Sequence, residues 1–247
     1  MRRGVRVLLP AWLAAAPVWA ADPPPPPPPG WSGEAAVSYV QSTGNSDNKT
    51  LGAGTKLRYL REPWKTELRA AFIRVETNDV DSSKRSSAAL RAERTLGGRL
   101  AAYGQAGYLR DVLAGIEGQT ILEAGLLYHL LDGPRHLLSV SGALAYTNER
   151  RAAPSPDLGF AAGRTALVYK LKIGASSELS EEADYLASFE DGSDWRANAT
   201  TSLTASVSKV FALKVSHQLA HLNSPVPGKE KTDTVVLASL VARWPAK

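Results

Sequence analysis

Residues 50–59 read TLGAGTKLRY, and apolar and polar side chains alternate along this stretch. Leu51 and Leu57 fall on one face of an extended chain, and Lys56 and Arg58 fall on the other. Successive side chains of a β-strand point to opposite faces, so the stretch predicts a strand that lies between an apolar and a polar environment. It is longer than a usual soluble strand and has the length of a tilted membrane-spanning one.

The same period of two recurs to the end of the chain, whereas no helical periodicity persists. None of the segments is a continuous apolar run, which excludes the buried strands of a parallel sheet. The pattern therefore predicts an all-β fold, an antiparallel transmembrane β-barrel of about 12 strands. The predicted strands are Trp31–Gln41, Lys49–Leu60, Trp64–Val75, Ser86–Thr95, Leu100–Val112, Gln119–Leu131, His136–Thr147, Gly159–Leu171, Ser177–Glu190, Trp195–Val207, Ala212–Leu222 and Thr232–Trp244.

The connections between the predicted strands alternate in length. Those in odd positions, such as Ser42–Asn48, Thr77–Arg85 and Asn223–Lys231, are longer than those in even positions, such as Arg61–Pro63. Long outer loops and short periplasmic turns are typical of outer-membrane barrels. With both ends of the barrel in the periplasm, the number of strands is even.

The aromatic residues fall near the ends of the predicted strands, where Trp and Tyr favour the two membrane interfaces. A soluble periplasmic β-barrel binding module, the alternative fold, would send large aromatic side chains into its core. We therefore assign every aromatic residue after residue 20 to one of two outward-facing girdles. The first, near the short turns, is Trp31, Tyr59, Trp64, Tyr103, Tyr128, Tyr169, Phe211 and Trp244; the second, near the long loops, is Tyr39, Phe72, Tyr108, Tyr146, Phe160, Tyr185, Phe189 and Trp195.

The N-terminal region differs in composition from the rest of the chain. Residues 1–20 combine a basic start, a short apolar stretch and small residues before a cut after Ala20, which predicts a secretory signal peptide. Residues 21–30 contain a run of prolines and are predicted to be a periplasmic linker. Residues 31–247 remain for the barrel. We expect the cell outer membrane as the location.

Charge and cysteine content exclude several classes of function. The formal net charge is +5. It falls to about +2 without the signal peptide, and we therefore expect no nucleic-acid partner. The chain has no cysteine, which excludes disulfides, thiolate metal sites and a cysteine nucleophile.

Charged side chains of both signs occupy the polar face of the predicted strands. They either pair across the interior of the barrel or line a narrow wet channel. The sequence favours a narrow or side-chain-occluded lumen. The predicted lumen-lining residues are Lys56, Arg58, Lys65, Glu67, Arg69, Arg91, Glu93, Glu123, Arg164, Lys170, Glu182, Asp184, Arg196 and Lys214.

The histidines are the candidates for chemistry. His217 and His221 are predicted to face lipid near the outer loops, close in sequence to Ser216 and Ser224. An outer-leaflet lipid-modifying hydrolase is therefore an alternative function, although no carboxylate is evident on that face. We expect interfacial imidazoles and no enzyme.

A metal site is the other candidate chemistry. Glu123 and His129 are predicted to face inward on one strand, and His136 opens the next. Their spacing is not that of a zinc motif, so we interpret them as polar lumen groups. No catalytic, cofactor-binding or metal residue is predicted, and no cofactor.

Three short stretches are characteristic in their order and spacing: GNSD at 44–47 followed by TLGA at 50–53, LDGPRHL at 131–137, and KEKTDT at 229–234. Between about Ser32 and Trp244 the chain resembles the DUF481 family of salt-induced, YdiY-like outer-membrane proteins. The resemblance implies an exported barrel linked to envelope or osmotic stress and transfers no active-site residue. Members of the family commonly end on an aromatic residue that belongs to the barrel-assembly signal, whereas here Pro245, Ala246 and Lys247 follow Trp244.

Taken together, these patterns predict an outer-membrane β-barrel that is either structural or a narrow channel for small solutes or ions. Its expected partners are outer-membrane lipids and, during insertion, the assembly machinery. We expect a monomer.

Overall fold

The computed structural model describes residues 29–42, 48–78 and 80–244. The predicted signal peptide and most of the predicted linker lie outside the described residues. Twelve antiparallel strands form a closed barrel in which β1 pairs with β12, so the predicted fold is confirmed. The strands are β1 Gly30–Ser42, β2 Asn48–Arg61, β3 Trp64–Thr77, β4 Val80–Gly97, β5 Leu100–Asp111, β6 Ile116–Asp132, β7 His136–Arg151, β8 Leu158–Ile173, β9 Ser177–Ser188, β10 Trp195–Ser206, β11 Phe211–Leu222 and β12 Thr232–Trp244.

The strands are tilted against the barrel axis, as closure of a sheet requires. A line of paired residues that begins at Ser38, in the middle of β1, passes through Gly52, Ile73 and Arg85. It reaches Asp111, the last residue of β5. A line of register partners therefore climbs along the barrel axis as it passes around the ring, here toward the outer strand ends.

The outer surface is an apolar belt. Leu122, Leu144, Leu213 and Val236 are large side chains that point outward and are exposed. Such a belt is stable against lipid and costly against water. Within the described residues, no helix is long and apolar enough to cross a membrane.

Aromatic side chains mark both ends of this belt. Trp31 packs on Tyr59 near the short turns, with ring centroids 4.9 Å apart. Tyr185 packs on Trp195 near the long loops, with centroids 5.6 Å apart. These pairs fit the interfacial girdles of a membrane barrel.

The assignment of every aromatic residue to a girdle is wrong for two of them. Tyr103 is buried inside the barrel, where the Arg91 guanidinium lies 3.5 Å from its ring centroid. Phe160 is buried in an interior cluster with Ala162 and Leu186. Around Tyr103 and Phe160, both faces of β5 and β8 carry small residues such as Ala and Gly. The sequence alternation therefore does not indicate there which face points outward.

The predicted loop Thr77–Arg85 is also wrong. Strand β3 continues to Thr77 and β4 begins at Val80, so the two strands extend as a hairpin with an irregularity between Val75 and Glu76. Residues 80–85 are almost entirely polar. A strand that extends beyond the lipid has no need of an apolar face, so its period-two signal disappears.

Candidate functional site

The structure places the predicted lumen-lining residues on inward-facing positions of their strands. The register of the paired strands and the ion pairs between them define these positions. They belong to three regions: a paired layer near the periplasmic turns, a packed wall formed by β6–β10, and an open cavity toward the outer loops.

One ion pair crosses the lumen from side to side. Arg69 on β3 donates a hydrogen bond from Nη1 to Oε2 of Glu182 on β9, at 3.0 Å. These strands are six positions apart in a ring of twelve, which places them on opposite sides of the barrel. We call this pair the cross-lumen bridge. Its side chains are 47% and 34% exposed, so the bridge is in contact with water.

The periplasmic side of the bridge is filled by paired charges. Glu67 is buried and accepts hydrogen bonds from Arg69 and from Arg58, whose Nη2 lies 2.7 Å from Oε2. Glu93 is buried between Lys65, at 3.2 Å, and Arg91, at 3.4 Å. Buried carboxylates are stable only with such partners. This layer therefore narrows the lumen.

A second network packs the wall formed by β6–β10. Glu149 is fully buried and accepts hydrogen bonds from Arg196 Nη1 at 2.5 Å and from Arg151 Nε at 2.6 Å. Arg164 donates to both carboxylate oxygens of Glu123, at 2.8 and 2.7 Å. These side chains hold one another in place and pack the lumen against this wall.

Several lumen charges were missed by the sequence reasoning because the strands are longer than predicted. Glu149 and Arg151 belong to the outer end of β7, beyond its predicted end at Thr147. Arg85, whose Nε lies 3.4 Å from Oδ2 of Asp111, precedes the predicted start of β4. Continuing the alternation through the polar ends of these strands would have found them.

Beside the packed wall the lumen holds an open cavity of about 580 Å³, which Arg164 and Arg196 also line. It extends from the outer strand ends down to the cross-lumen bridge, and we call it the outer chamber. Its floor carries Lys56, Arg69, Glu182 and Lys214. The wall formed by β10–β12 and β1 is rich in hydroxyl groups, contributed by Ser38, Thr200, Ser202, Ser216 and Ser239.

The segment Asn223–Lys231 between β11 and β12 lies over the outer end of the barrel, and we call it the mouth loop. Its Val226 is only 3% exposed, and its side chain lies against Gly115 in the β5–β6 turn. That turn is on the opposite side of the ring from β11 and β12. The mouth loop therefore spans the opening of the outer chamber.

His217 lies on the outward face, but the prediction that this face lacks a carboxylate is wrong. Glu181 also points outward, on β9, and accepts a hydrogen bond from Thr201 Oγ1 at 2.5 Å. Thr201 is in turn the register partner of His217. The alternation that places Glu182 inward also turns its neighbour Glu181 outward, toward lipid.

The serines near these histidines are oriented elsewhere. Ser216 is adjacent to His217 and therefore points into the outer chamber. Ser224 donates its hydroxyl to the carbonyl oxygen of Ser193, at 3.0 Å. His221 stacks on Trp195 and has Nδ1 2.7 Å from Oγ1 of Thr232. Among the residues that the structure describes, these contacts leave neither imidazole with a serine hydroxyl as partner.

The residues considered for a metal site are separated. His129 Nδ1 lies 2.8 Å from Ser139 Oγ inside the barrel, and His136 Nδ1 lies 2.9 Å from the hydroxyl of Tyr169. Glu123 is held by Arg164. No group of three His, Asp or Glu side chains in the described part of the chain is placed to hold a metal ion.

Solved structures with the same architecture are outer-membrane barrels. The COG4313 outer membrane channel from Pseudomonas putida F1 is 10% identical, with a TM-score of 0.55 over 92% of this chain and 100% of that chain. The translocator domain of the autotransporter NalP from Neisseria meningitidis is 15% identical, with a TM-score of 0.47 over 87% of this chain and 88% of that chain. At such identities the likeness concerns the fold alone.

No curated protein matches the sequence. A family model described as "Protein of unknown function, DUF481" matches residues 35–244, which is nearly the whole barrel. The resemblance seen in the sequence motifs is therefore confirmed, and the chain belongs to the DUF481 family.

Proposed function

We propose that this protein is a narrow outer-membrane channel for ions and small solutes, closed at mid-height by the cross-lumen bridge. The bridge between Arg69 and Glu182 is the observation that carries the proposal. The outer chamber supplies a polar path down to it, and the volume of about 580 Å³ limits that path to small solutes.

The relative strengths of the ion pairs in the lumen support the cross-lumen bridge as the part of the channel that opens. An ion pair with exposed side chains contributes about 0–1 kcal/mol, whereas breaking a buried pair costs about 3–5 kcal/mol. Arg69 and Glu182 belong to the first kind, and Arg196 with Glu149 to the second. Thermal motion can therefore separate the bridge while the packed wall stays intact.

The test is planar-bilayer recording of the refolded chain. The double variant Arg69→Gln, Glu182→Gln removes the bridge without changing the net charge, and we expect it to conduct more than the wild type. Arg74→Gln, Glu76→Gln is the matched control, because this pair lies near the outer end of β3, with Nη2 and Oε1 2.7 Å apart. We expect the control to behave like the wild type.

An absence of conductance in both the wild type and the bridge variant would overturn the proposal and favour a closed structural barrel. An equal rise in the control would also contradict it, because the effect would then not depend on the lumen.

Export is a further part of the proposal. Residues 1–20 direct the chain across the inner membrane and are removed after Ala20, and residues 21–30 form a periplasmic linker. Outer-membrane lipids and the assembly machinery are the partners, with envelope or osmotic stress as the physiological setting. The mass of the mature chain from cells tests the cleavage, since it should correspond to a start at Ala21.

A further inference from the structure

Lys214 differs from the other cations of the outer chamber. The other strand cations that line the chamber each have a carboxylate oxygen within 4.0 Å, whereas Lys214 has none in the described part of the chain. The paired ones are Lys56, Arg69, Arg85, Arg164 and Arg196.

Hydroxyl groups surround Lys214 on its own sheet. Its register partners are Ser239 on β12 and Thr204 on β10. The next inward residue on β11 is Ser216, which pairs with Ser202. These groups offer hydrogen bonds to the ammonium group. The carboxylate on this line of register is Glu178 on β9, the partner of Thr204, and it is already bound to Lys170 at 3.7 Å.

The charges that face Lys214 from the rest of the floor do not compensate it. Lys56 and Arg69 are cations, and the carboxylates beside them are already bound: Glu34 to Lys56 at 3.7 Å and Glu182 to Arg69 at 3.0 Å. The floor therefore keeps one positive charge without a protein partner. A charge in a narrow chamber with low-dielectric walls attracts counter-ions more strongly than one on an open surface.

We infer that the outer chamber binds a small hydroxylated anion, whose carboxylate or phosphate contacts Lys214 and whose hydroxyl groups contact Ser239 and Thr200, two partly exposed hydroxyl residues of the same wall. The chamber volume lies within the roughly 300–1,000 Å³ of small-molecule sites. This inference rests on the proposed channel function and names the class of solute that enters from the outside.

Equilibrium binding to the refolded full chain tests the inference without requiring conduction. Isothermal titration calorimetry uses sodium gluconate as the hydroxylated carboxylate, sorbitol as its neutral analogue and sodium phosphate as an anion without the polyol chain. We expect gluconate to bind more tightly than the other two. Lys214→Gln should weaken gluconate binding by about tenfold or more, because a direct charge contact is lost.

The matched control is Lys209→Gln, which removes the same charge from the exposed turn between β10 and β11. It should bind gluconate like the wild type. Equal affinity of wild type and Lys214→Gln would overturn the site, and equal affinity for gluconate and sorbitol would overturn the role of charge. Phosphate binding as tight as gluconate would overturn the role of the hydroxyl wall.

Two measurements separate this inference from the channel proposal. If the bridge variant fails to conduct but gluconate binding depends on Lys214, the channel proposal fails and the site stands. If the bridge variant conducts but no gluconate binding is found, the site fails and the channel stands. Heat-modifiable migration on electrophoresis shows that each variant is folded.

Discussion

At the scale of the residue, Glu149 illustrates what a buried carboxylate requires inside a barrel. It is completely inaccessible and is held by Arg196, Arg151 and Gln119. Removing a carboxylate from such a network leaves the guanidinium groups buried without a partner, and that desolvated charge is the main cost. Exposed pairs in the same lumen have no comparable cost, because water replaces the missing partner.

We therefore expect Glu149→Ala to lower the free energy of unfolding by about 3–5 kcal/mol. The matched variant Glu182→Ala removes a partly exposed carboxylate and should cost about 0–1 kcal/mol. Urea unfolding of the refolded barrel in lipid vesicles, followed by tryptophan fluorescence, measures both. Equal losses for the two variants would show that burial does not set the strength of these pairs.

At the scale of the element, the strands were predictable where one face meets lipid and the other meets the lumen. The alternation in β2 and β11 placed Lys56, Arg58 and Lys214 inward, where the structure also has them. The polar start of β4 and the polar end of β7 carry no such contrast, because both faces meet water there. The lumen charges on those ends were missed for that reason.

The mouth loop is an element whose position depends on one apolar contact. Val226 is buried against Gly115, and a side chain on that glycine would lie within 3.1 Å of Val226 Cβ. Gly115 also has φ of 73°, a left-handed conformation that favours glycine. The glycine in the turn between β5 and β6 thus leaves room for the Val226 side chain of the mouth loop.

Val226→Ser should release the mouth loop, because burying a hydroxyl without a partner offsets the gain from packing. Limited trypsin digestion of the barrel in vesicles should then cut faster after Lys229 or Lys231. Val112→Ser is the control, since Val112 is exposed in the β5–β6 turn and does not carry this contact. Unchanged cleavage of Val226→Ser would contradict a loop held by Val226.

At the scale of the whole molecule, closure of the ring creates contacts that the sequence does not reveal. Arg69 and Glu182 are 113 residues apart and meet only because β3 and β9 lie on opposite sides of twelve strands. The contact of Val226 with Gly115 crosses the same ring. Alternation predicts which side chains point inward, but the partner of each depends on barrel size, strand tilt and register.

The lumen is accessible from the outside, beneath the mouth loop, down to the cross-lumen bridge, and it is closed there. The chain has no cysteine, so single cysteines report local access without interference. Gln218 lines the outer chamber. Ser180 is the next inward-facing residue of β9 after Glu182 on the periplasmic side. Each is replaced by cysteine in a separate variant.

The decisive measurement is labelling of these two cysteines by a membrane-impermeant, charged thiol reagent added to the outer side of vesicles. We predict that Gln218→Cys reacts in the presence of the bridge and that Ser180→Cys reacts quickly only when Arg69→Gln and Glu182→Gln are also present. Fast labelling of Ser180→Cys with the bridge intact, or no acceleration after its removal, would contradict the claim.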